Sequence, residues 1–203
     1  MPACKACSSK EVTMADSDEL SRKQLYKGRI FDLYESDVRL PNGRTFKYNW
    51  LDHRPTIAVV PVTPEGNLVL IDQYRQAAGG MIVEIPAGTM DKQDENIEAC
   101  VQRELAEEAG FRAQTLVRLF EGYLVPGYCN EYMYFYLAAD LYPASLPGDA
   151  DEYIRVMHVS FTEARRMIRE KRIVDVKTAL GIQMAWDFMK KENPDESLSD
   201  LII

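Results

Sequence analysis

Three glutamates close to a glycine constrain this 203-residue chain more than any other feature: Glu104, Glu107 and Glu108, with Gly110 just beyond them. Residues three and four apart share one face of a helix, and a glycine can end that helix. The carboxylates would therefore form one patch, where they repel each other unless a cation lies among them. Mg²⁺ takes oxygen ligands and commonly shares its shell with substrate phosphates. The pattern predicts metal-assisted chemistry on a phosphate, against the alternative of an acidic helix face exposed to water.

The glutamates belong to a longer pattern. It begins at Gly88, continues after six residues with Glu95, and after seven more reads Arg103-Glu104-Leu105-Ala106-Glu107-Glu108-Ala109-Gly110-Phe111. This pattern resembles the Nudix box, which has one residue fewer between its glycine and its first glutamate. The spacing from Glu95 onward matches at every fixed position, so the signal is strong.

The resemblance implies a ligand set for Mg²⁺, with Mn²⁺ as a possible substitute. It assigns metal contacts to four residues: Ala87 through its backbone carbonyl, Glu104, Glu107 and Glu108. It also implies that Arg103 pairs with Glu95 and holds the preceding loop against the helix. We count Arg103, Glu95 and Glu107 among the candidate catalytic residues.

The likeness extends over roughly residues 25–190 and indicates a subfamily. The further matching segments are residues 41–43, 73–76, 84–88, 126–127 with Glu131, and 175–178. They stand in the same order as in Nudix ADP-ribose pyrophosphatases and related nucleoside-diphosphate-sugar hydrolases. The implied activity is Mg²⁺-dependent hydrolysis of a pyrophosphate bond, with ADP-ribose favoured and AMP and ribose 5-phosphate as products. The alternatives are hydrolysis of GDP-mannose or another nucleotide sugar, and a Nudix-fold sensor that binds a nucleotide without cleaving it.

Four residues outside the box are candidates for binding substrate. The fork of the Arg75 guanidinium matches phosphate oxygens, although an arginine at a strand edge is the alternative. Glu84 could reach the ribose or the metal shell, or act as a partner for arginines. Phe31 and Trp50, with Tyr34, could stack on a nucleobase, although such aromatics are more often core residues.

The general base is assigned to a loop beyond the box, because relatives take it from such a loop. Asp149-Ala150-Asp151-Glu152 precedes a predicted strand, and Glu152 is our candidate for the base. Asp151 and Glu131 are its rivals, and a solvated acidic loop is the alternative. Such a carboxylate must come within hydrogen-bond reach of the attacking water.

The order of predicted elements indicates an α/β (α+β) fold, a Nudix α/β/α sandwich with a mixed sheet, preceded by a small N-terminal antiparallel sheet. We predict a disordered tail over 1–22, a sheet lobe over 23–54, a hydrolase domain over 55–193 and a C-terminal tail over 194–203. One helix is predicted over 95–109 with Asp94 as its N-cap, and a late helix over 176–190. The predicted buried stripe of the late helix is Leu180, Met184 and Phe188.

Composition narrows the class of partner. A net charge of −8 argues against a general nucleic-acid binder, and no apolar run approaches the length of a membrane span. The first residues lack the apolar core of a secretory signal, and the four scattered cysteines fit a reducing cytoplasm. Zinc at Cys4 and Cys7 is a weaker alternative, because further ligands are scarce. The family resemblance implies a homodimer formed through the N-terminal sheet.

Overall fold

The structure is a computed structural model, and it describes residues 18–92, 95–148 and 153–192. The strands in these ranges are β1 (Asp18–Lys27), β2 (Phe31–Arg39), β3 (Thr45–His53), β4 (Thr56–Pro61), β5 (Asn67–Arg75), β6 (Gly80–Glu84), β7 (Ala87–Thr89), β8 (Phe111–Tyr123), β9 (Tyr132–Pro143) and β10 (Ile154–Ser160). The helices are α1 (Ile97–Glu108), α2 (Phe161–Arg169) and α3 (Val176–Glu192), and a short 3-10 helix follows β5.

The chain divides into two compact units between Asp52 and His53. The predicted boundary lay two residues later. The backbone N–H of His53 donates to Asn130 Oδ1 at 2.7 Å, and this bond ties His53 to the second unit.

The first unit contains a three-stranded sheet in the order β1-β2-β3. Its β2–β3 turn lies at Pro41-Asn42-Gly43, a sequence typical of turns, where the Gly43 N–H donates to the Leu40 carbonyl oxygen and the glycine has a φ of 81°. Strand β1 was missed, and the disordered tail predicted over 1–22 is wrong for residues 18–22, which form its first half. Every residue of β1 is exposed. Its sequence does not alternate apolar and polar residues, so it carries no periodic signal of a strand.

The second unit is built on a four-stranded mixed sheet in the order β7-β4-β9-β8. Strand β4 runs parallel to β9 and antiparallel to β7, while β8 and β9 are antiparallel. All six residues of β4 are buried, as its apolar sequence predicts. Alternate residues face opposite sides: Ile57 and Val59 join one hydrophobic core, and Ala58 and Val60 join the other.

Helices cover both faces of this sheet. Cys100, Val101 and Leu105 of α1 belong to the core on one side. Residues of α2 and α3 belong to the core on the other side. A second, antiparallel sheet has the order β10-β5-β6. The α/β/α arrangement with a mixed sheet is therefore confirmed.

The ends of α1 and α2 show how local sequence sets helix boundaries. Asn96 caps α1, because its side chain accepts from the Ala99 N–H at 2.8 Å. Helix α1 begins at Ile97, two residues later than predicted. The predicted cap, Asp94, lies outside the described residues. Ser160 caps α2 by accepting from the Glu163 N–H at 3.1 Å, as the capping-box pattern predicts.

The buried face of α3 differs from the predicted stripe. Leu180 is 37% exposed, whereas Ile182 and Ala185 are buried in the core; of the predicted stripe, Phe188 does pack against that core. This helix carries apolar residues on most of its surface, so spacing alone could not select the packed face. Gly181 permits its close approach to the sheet, because a Cβ there would lie 3.2 Å from a methyl group of Val60.

Candidate active site on helix α1 and strand β7

The three predicted glutamates lie at the C-terminal end of α1. Glu104 and Glu108 are buried, and the side chain of Glu107 is 22% exposed. Burial of ionised carboxylates is costly unless they are paired or bind a cation. The solvated acidic face is therefore ruled out for Glu104 and Glu108.

Arg103 is the cation among these carboxylates. Its Nε and Nη2 donate to the two oxygens of Glu95 at 2.8 and 3.0 Å, which is the predicted pair. Its Nη1 donates to Glu104 at 2.7 Å and to Glu107 at 2.9 Å. Nη2 also donates to the backbone oxygen of Thr89 in β7 at 3.3 Å. One guanidinium therefore holds the loop, the helix and the strand together.

The charged groups of this cluster change one another's pKa values. The hydrogen bonds from Arg103 lower the pKa of Glu95, while burial opposes the shift. The same bonds to Glu95, aided by Glu104, raise the pKa of Arg103. Burial raises the pKa of the Cys100 thiol well above its usual range, so this cysteine stays protonated.

Strand β7 lies directly against the helix carboxylates. The Ala87 N–H donates to Glu108 Oε2 at 2.8 Å. A Cβ atom at Gly88 would lie 2.0 Å from the carboxylate carbon of Glu104, so a larger residue there would displace that carboxylate. The glycine of the motif thus has a steric role in this chain, because the backbone of 87–88 lies in direct contact with the helix carboxylates.

This donor set suits a hard divalent cation, because it consists of carboxylate oxygens beside a strand backbone. Within the described ranges, however, no three His, Cys, Asp or Glu side chains are grouped so that they could hold a metal as they stand. Arg103 Nη1 binds oxygens of both Glu104 and Glu107. The residues fit the ion chemically, and binding requires their side chains to rearrange around it.

A second charged network holds Arg75. Its Nε and Nη2 donate to the two oxygens of Glu84 at 2.8 and 2.9 Å. The Glu84 side chain is 1% exposed and that of Arg75 is 38% exposed. Lys177 Nζ also donates to Glu84, and it donates to Asp175 at 2.8 Å. Burial would raise the pKa of Glu84, but Arg75 and Lys177 together lower it.

The two networks meet on one short segment of the chain. Glu84 ends β6, and Ala87 and Gly88 begin β7. The segment therefore carries at one end the carboxylate that holds Arg75, and at the other the backbone that contacts the α1 carboxylates. One short segment therefore contacts both an arginine of the type that binds phosphate and the carboxylate oxygens of α1.

Comparison with known protein families decides the identity of this arrangement. The model of the NUDIX domain matches residues 52–177, which is more than half of the chain. The chain belongs to the NUDIX family. The matched range includes α1, β7 and the Arg75 network.

Curated relatives of this NUDIX chain carry three different names. An ADP-ribose pyrophosphatase of Bacillus subtilis (strain 168) is 36% identical over 166 residues, covering 81% of this chain and 89% of the relative. A methanol dehydrogenase activator of Bacillus methanolicus is 35% identical over the same coverage. A GDP-mannose pyrophosphatase of Yersinia pestis (strain Pestoides F) is 37% identical over 131 residues, covering 60% of this chain and 65% of the relative.

The fold also has a counterpart among solved structures. A chain described as an ADP compounds hydrolase aligns with a TM-score of 0.79 and 23% identity, covering 87% of this chain and 96% of its own length. At this identity the likeness supports the NUDIX fold alone. Among the described residues, no helix has both the length and the apolar character needed to cross a membrane.

The candidate aromatic residues of the NUDIX chain lie in its N-terminal sheet. Trp50 stacks on Tyr34 with ring centroids 5.2 Å apart, and its indole N–H donates to Ser36 Oγ at 3.0 Å. The Arg22 guanidinium lies 5.0 Å from the Trp50 ring centroid. Phe31 is 38% exposed. Trp50 therefore already has an aromatic and a cationic neighbour within its own unit.

Of the three candidates for the general base, the structure describes only Glu131. Glu152 and Asp151 lie outside the described residues, as do Cys4 and Cys7. Glu131 accepts from the Thr56 hydroxyl at 2.9 Å in the hydrolase unit. Its role as a base stays a prediction.

Two contacts of the site were not predicted from the sequence. The first is the link from Lys177 to Glu84, although residues 175–178 were singled out as a matching segment. The second is the contact of the Arg103 guanidinium with the Thr89 backbone. Pairing between residues so distant along the chain has no periodic signal, and only the resemblance of the segment 175–178 pointed to the first.

Proposed function

We propose that this NUDIX chain hydrolyses the pyrophosphate bond of a nucleoside diphosphate sugar, with ADP-ribose as the favoured substrate and AMP and ribose 5-phosphate as products. One observation carries the proposal: segment 84–88 links the carboxylate that holds Arg75 to the backbone that contacts Glu104 and Glu108. The name and coverage of the relative from Bacillus subtilis support the choice of substrate.

The cofactor in this proposal is Mg²⁺, with Mn²⁺ as a substitute. Glu104, Glu107, Glu108 and the Ala87 carbonyl would hold it. When bound, such a cation offsets phosphate charge and makes water a better nucleophile. The buried donors and the steric fit at Gly88 support this assignment.

The side chains of the chain have separate tasks in the reaction. Arg75, whose side chain is 38% exposed, binds a phosphate oxygen, and Glu84 orients it. Arg103 and Glu95 fix the loop before α1. Phe31 and Trp50 contact the nucleobase. Glu152 accepts the proton of the attacking water, with Asp151 and Glu131 as its rivals.

Product analysis tests the proposal directly. Purified protein is incubated with ADP-ribose, GDP-mannose and other nucleotide sugars, with Mg²⁺ or with EDTA. We expect AMP and ribose 5-phosphate from ADP-ribose, no turnover in EDTA, and a strong loss in Glu108→Gln. Exposed Glu170→Gln serves as the control. Absence of any nucleoside monophosphate with Mg²⁺ present would contradict the proposal.

The candidate for the general base needs its own variant. At saturating Mg²⁺ we expect Glu152→Gln to lower kcat by roughly a hundredfold or more, as loss of a positioned base does. Turnover near that of the unmodified enzyme would exclude Glu152, and the same assay would then be applied to Asp151→Asn and Glu131→Gln.

GDP-mannose is the second candidate substrate, because a GDP-mannose pyrophosphatase is among the relatives. The ratio of kcat/KM values for the two substrates decides between them. Calorimetry separates the third possibility, a nucleotide sensor, which would bind ADP-ribose tightly and release no AMP.

We also propose that the protein is a cytoplasmic homodimer joined through its N-terminal sheet. The exposed apolar side chains of that sheet support a partner surface: Leu20, Leu25, Tyr26, Phe46 and Tyr48. Sedimentation of the full chain measures the oligomeric state. A monomer at micromolar concentration would contradict the dimer.

A further inference from the structure

The buried carboxylate of Glu84 has two cationic partners on different elements. Arg75, at the end of β5, binds both of its oxygens. Lys177, in the first turn of α3, donates to the oxygen that also accepts from Arg75 Nη2. Because the Glu84 side chain is 1% exposed, its orientation depends on these protein partners rather than on water.

Lys177 is itself held by Asp175. The Lys177 Nζ donates to Asp175 Oδ2 at 2.8 Å, and the same oxygen accepts from the Thr178 N–H at 2.9 Å, which caps α3. The Thr178 hydroxyl oxygen accepts from the Ile85 N–H at 2.9 Å. The start of α3 is thus tied to two consecutive residues of the segment that leads to β7.

The charges of this network balance, since Asp175 and Glu84 are negative and Arg75 and Lys177 are positive. Lys177 lies between the two carboxylates and donates to both. Its side chain is only 12% exposed, so water screens the group weakly. Without the ammonium group, the carboxylates of Asp175 and Glu84 would face each other with no cation between them, although Arg75 would still pair with Glu84. Their repulsion would move Glu84, and Arg75 would move with it.

We propose that Lys177 is a positioning residue for Arg75: by bridging Asp175 and Glu84 it fixes the guanidinium that receives the diphosphate of the substrate. The proposal rests on the proposed function, because Arg75 is there the cation that binds phosphate. Lys177 acts through Glu84 and does not itself contact the substrate.

The kinetic test uses charge-matched variants of the full chain. Lys177→Met removes the ammonium and keeps the aliphatic length. We expect it to raise KM for ADP-ribose roughly tenfold, with a smaller change in kcat, because a displaced binding group weakens ground and transition states together. Lys177→Met combined with Asp175→Asn removes the opposed carboxylate and keeps an N-cap side chain, so KM should recover most of the way. Lys190→Met, later on the same helix, is the control for loss of a lysine.

A double-mutant cycle tests whether the effect of Lys177→Met on KM passes through Arg75. If Lys177 acts through Arg75, Lys177→Met should change KM little once Arg75→Gln is already present. If Lys177 served only the stability of the helix, Lys177→Met would raise KM by the same factor with Arg75 present and with Arg75→Gln. Such a role would also give no recovery with Asp175→Asn. Either of these results overturns the proposal, provided that thermal unfolding shows each variant to be folded.

A second measurement needs no turnover. Phenylglyoxal modifies arginines, and mass spectrometry of peptides gives the rate at each one. We expect Arg75 to react severalfold faster in Lys177→Met and to return towards the original rate in the double variant, while Arg165 and Arg166 stay unchanged. Failure of all nucleotide sugars as substrates would refute the proposed function. An unchanged Arg75 rate would refute the positioning role, so the two failures remain distinguishable.

Discussion

The backbone of Gly88 lies so close to the Glu104 carboxylate that a Cβ atom at position 88 would be 2.0 Å from the carboxylate carbon. Gly88 stands in strand β7, paired with Ile57 of the central strand, so it cannot move away without disturbing the sheet. Any larger side chain at position 88 would therefore have to displace the Glu104 carboxylate from its place against the strand.

Substitution at this contact should affect both folding and activity. We expect Gly88→Ala to lower the free energy of unfolding by about 1–3 kcal/mol, because the new methyl group overpacks a tight contact. Turnover should fall further, since Glu104 is displaced. Urea denaturation and product assays measure the two effects.

Gly80→Ala is the matched control, because a Cβ at Gly80 would meet nothing within 4 Å. It should leave stability within about 0.5 kcal/mol of the original. Equal unfolding free energies and equal turnover in the two variants would contradict a role for the contact between Gly88 and Glu104.

Removal of Arg103 should destabilise the protein strongly. The side chain is 15% exposed and pairs with Glu95, Glu104 and Glu107. Arg103→Met leaves these carboxylates without their common cation, and we expect the free energy of unfolding in EDTA to fall by about 3–5 kcal/mol. Arg166 pairs with two glutamates but is 51% exposed, so Arg166→Met should cost far less than Arg103→Met. Similar losses in both variants would contradict this prediction.

Stability at acid pH should depend on Glu84. Its pKa is lower in the folded protein than the usual 4.5, because Arg75 and Lys177 outweigh the opposing effect of burial. A lowered folded pKa contributes stability that is full above the unfolded pKa and is lost as pH falls through the folded value. We expect Glu84→Gln to flatten the fall in unfolding free energy below pH 4.5, measured by urea denaturation at successive pH values. Parallel curves for the two proteins would contradict it.

The role of Trp50 can be separated from its packing. If its ring stacks on the nucleobase, Trp50→Ala should raise KM for ADP-ribose by roughly five- to a hundredfold, the range of base–aromatic stacking, and kcat should change little. Exposed Asn49→Ala on the same strand is the control. A loss of stability with no change in KM would assign Trp50 to packing against Tyr34 and Arg22 alone.

Local sequence predicted much of the fold. The turn at Asn42-Gly43, the cap at Ser160 and the buried β4 all depend on interactions between near neighbours or on simple periodicity. Strand β1 was missed because its exposed residues carry no periodic pattern. The cap of α1 was misplaced because Asp94 and Asn96 are both good caps by residue type.

The sequence by itself determined the identity of the site: the spacing of Glu95, Arg103 and the helix glutamates fixes which carboxylates share a helix face and which cation can neutralise them. Only the tertiary structure decided what those groups contact. The fit of Gly88 against Glu104, and the bridge from Lys177 through Glu84 to Arg75, join residues far apart along the chain. Such contacts depend on how strands and helices pack, which local periodicity does not encode.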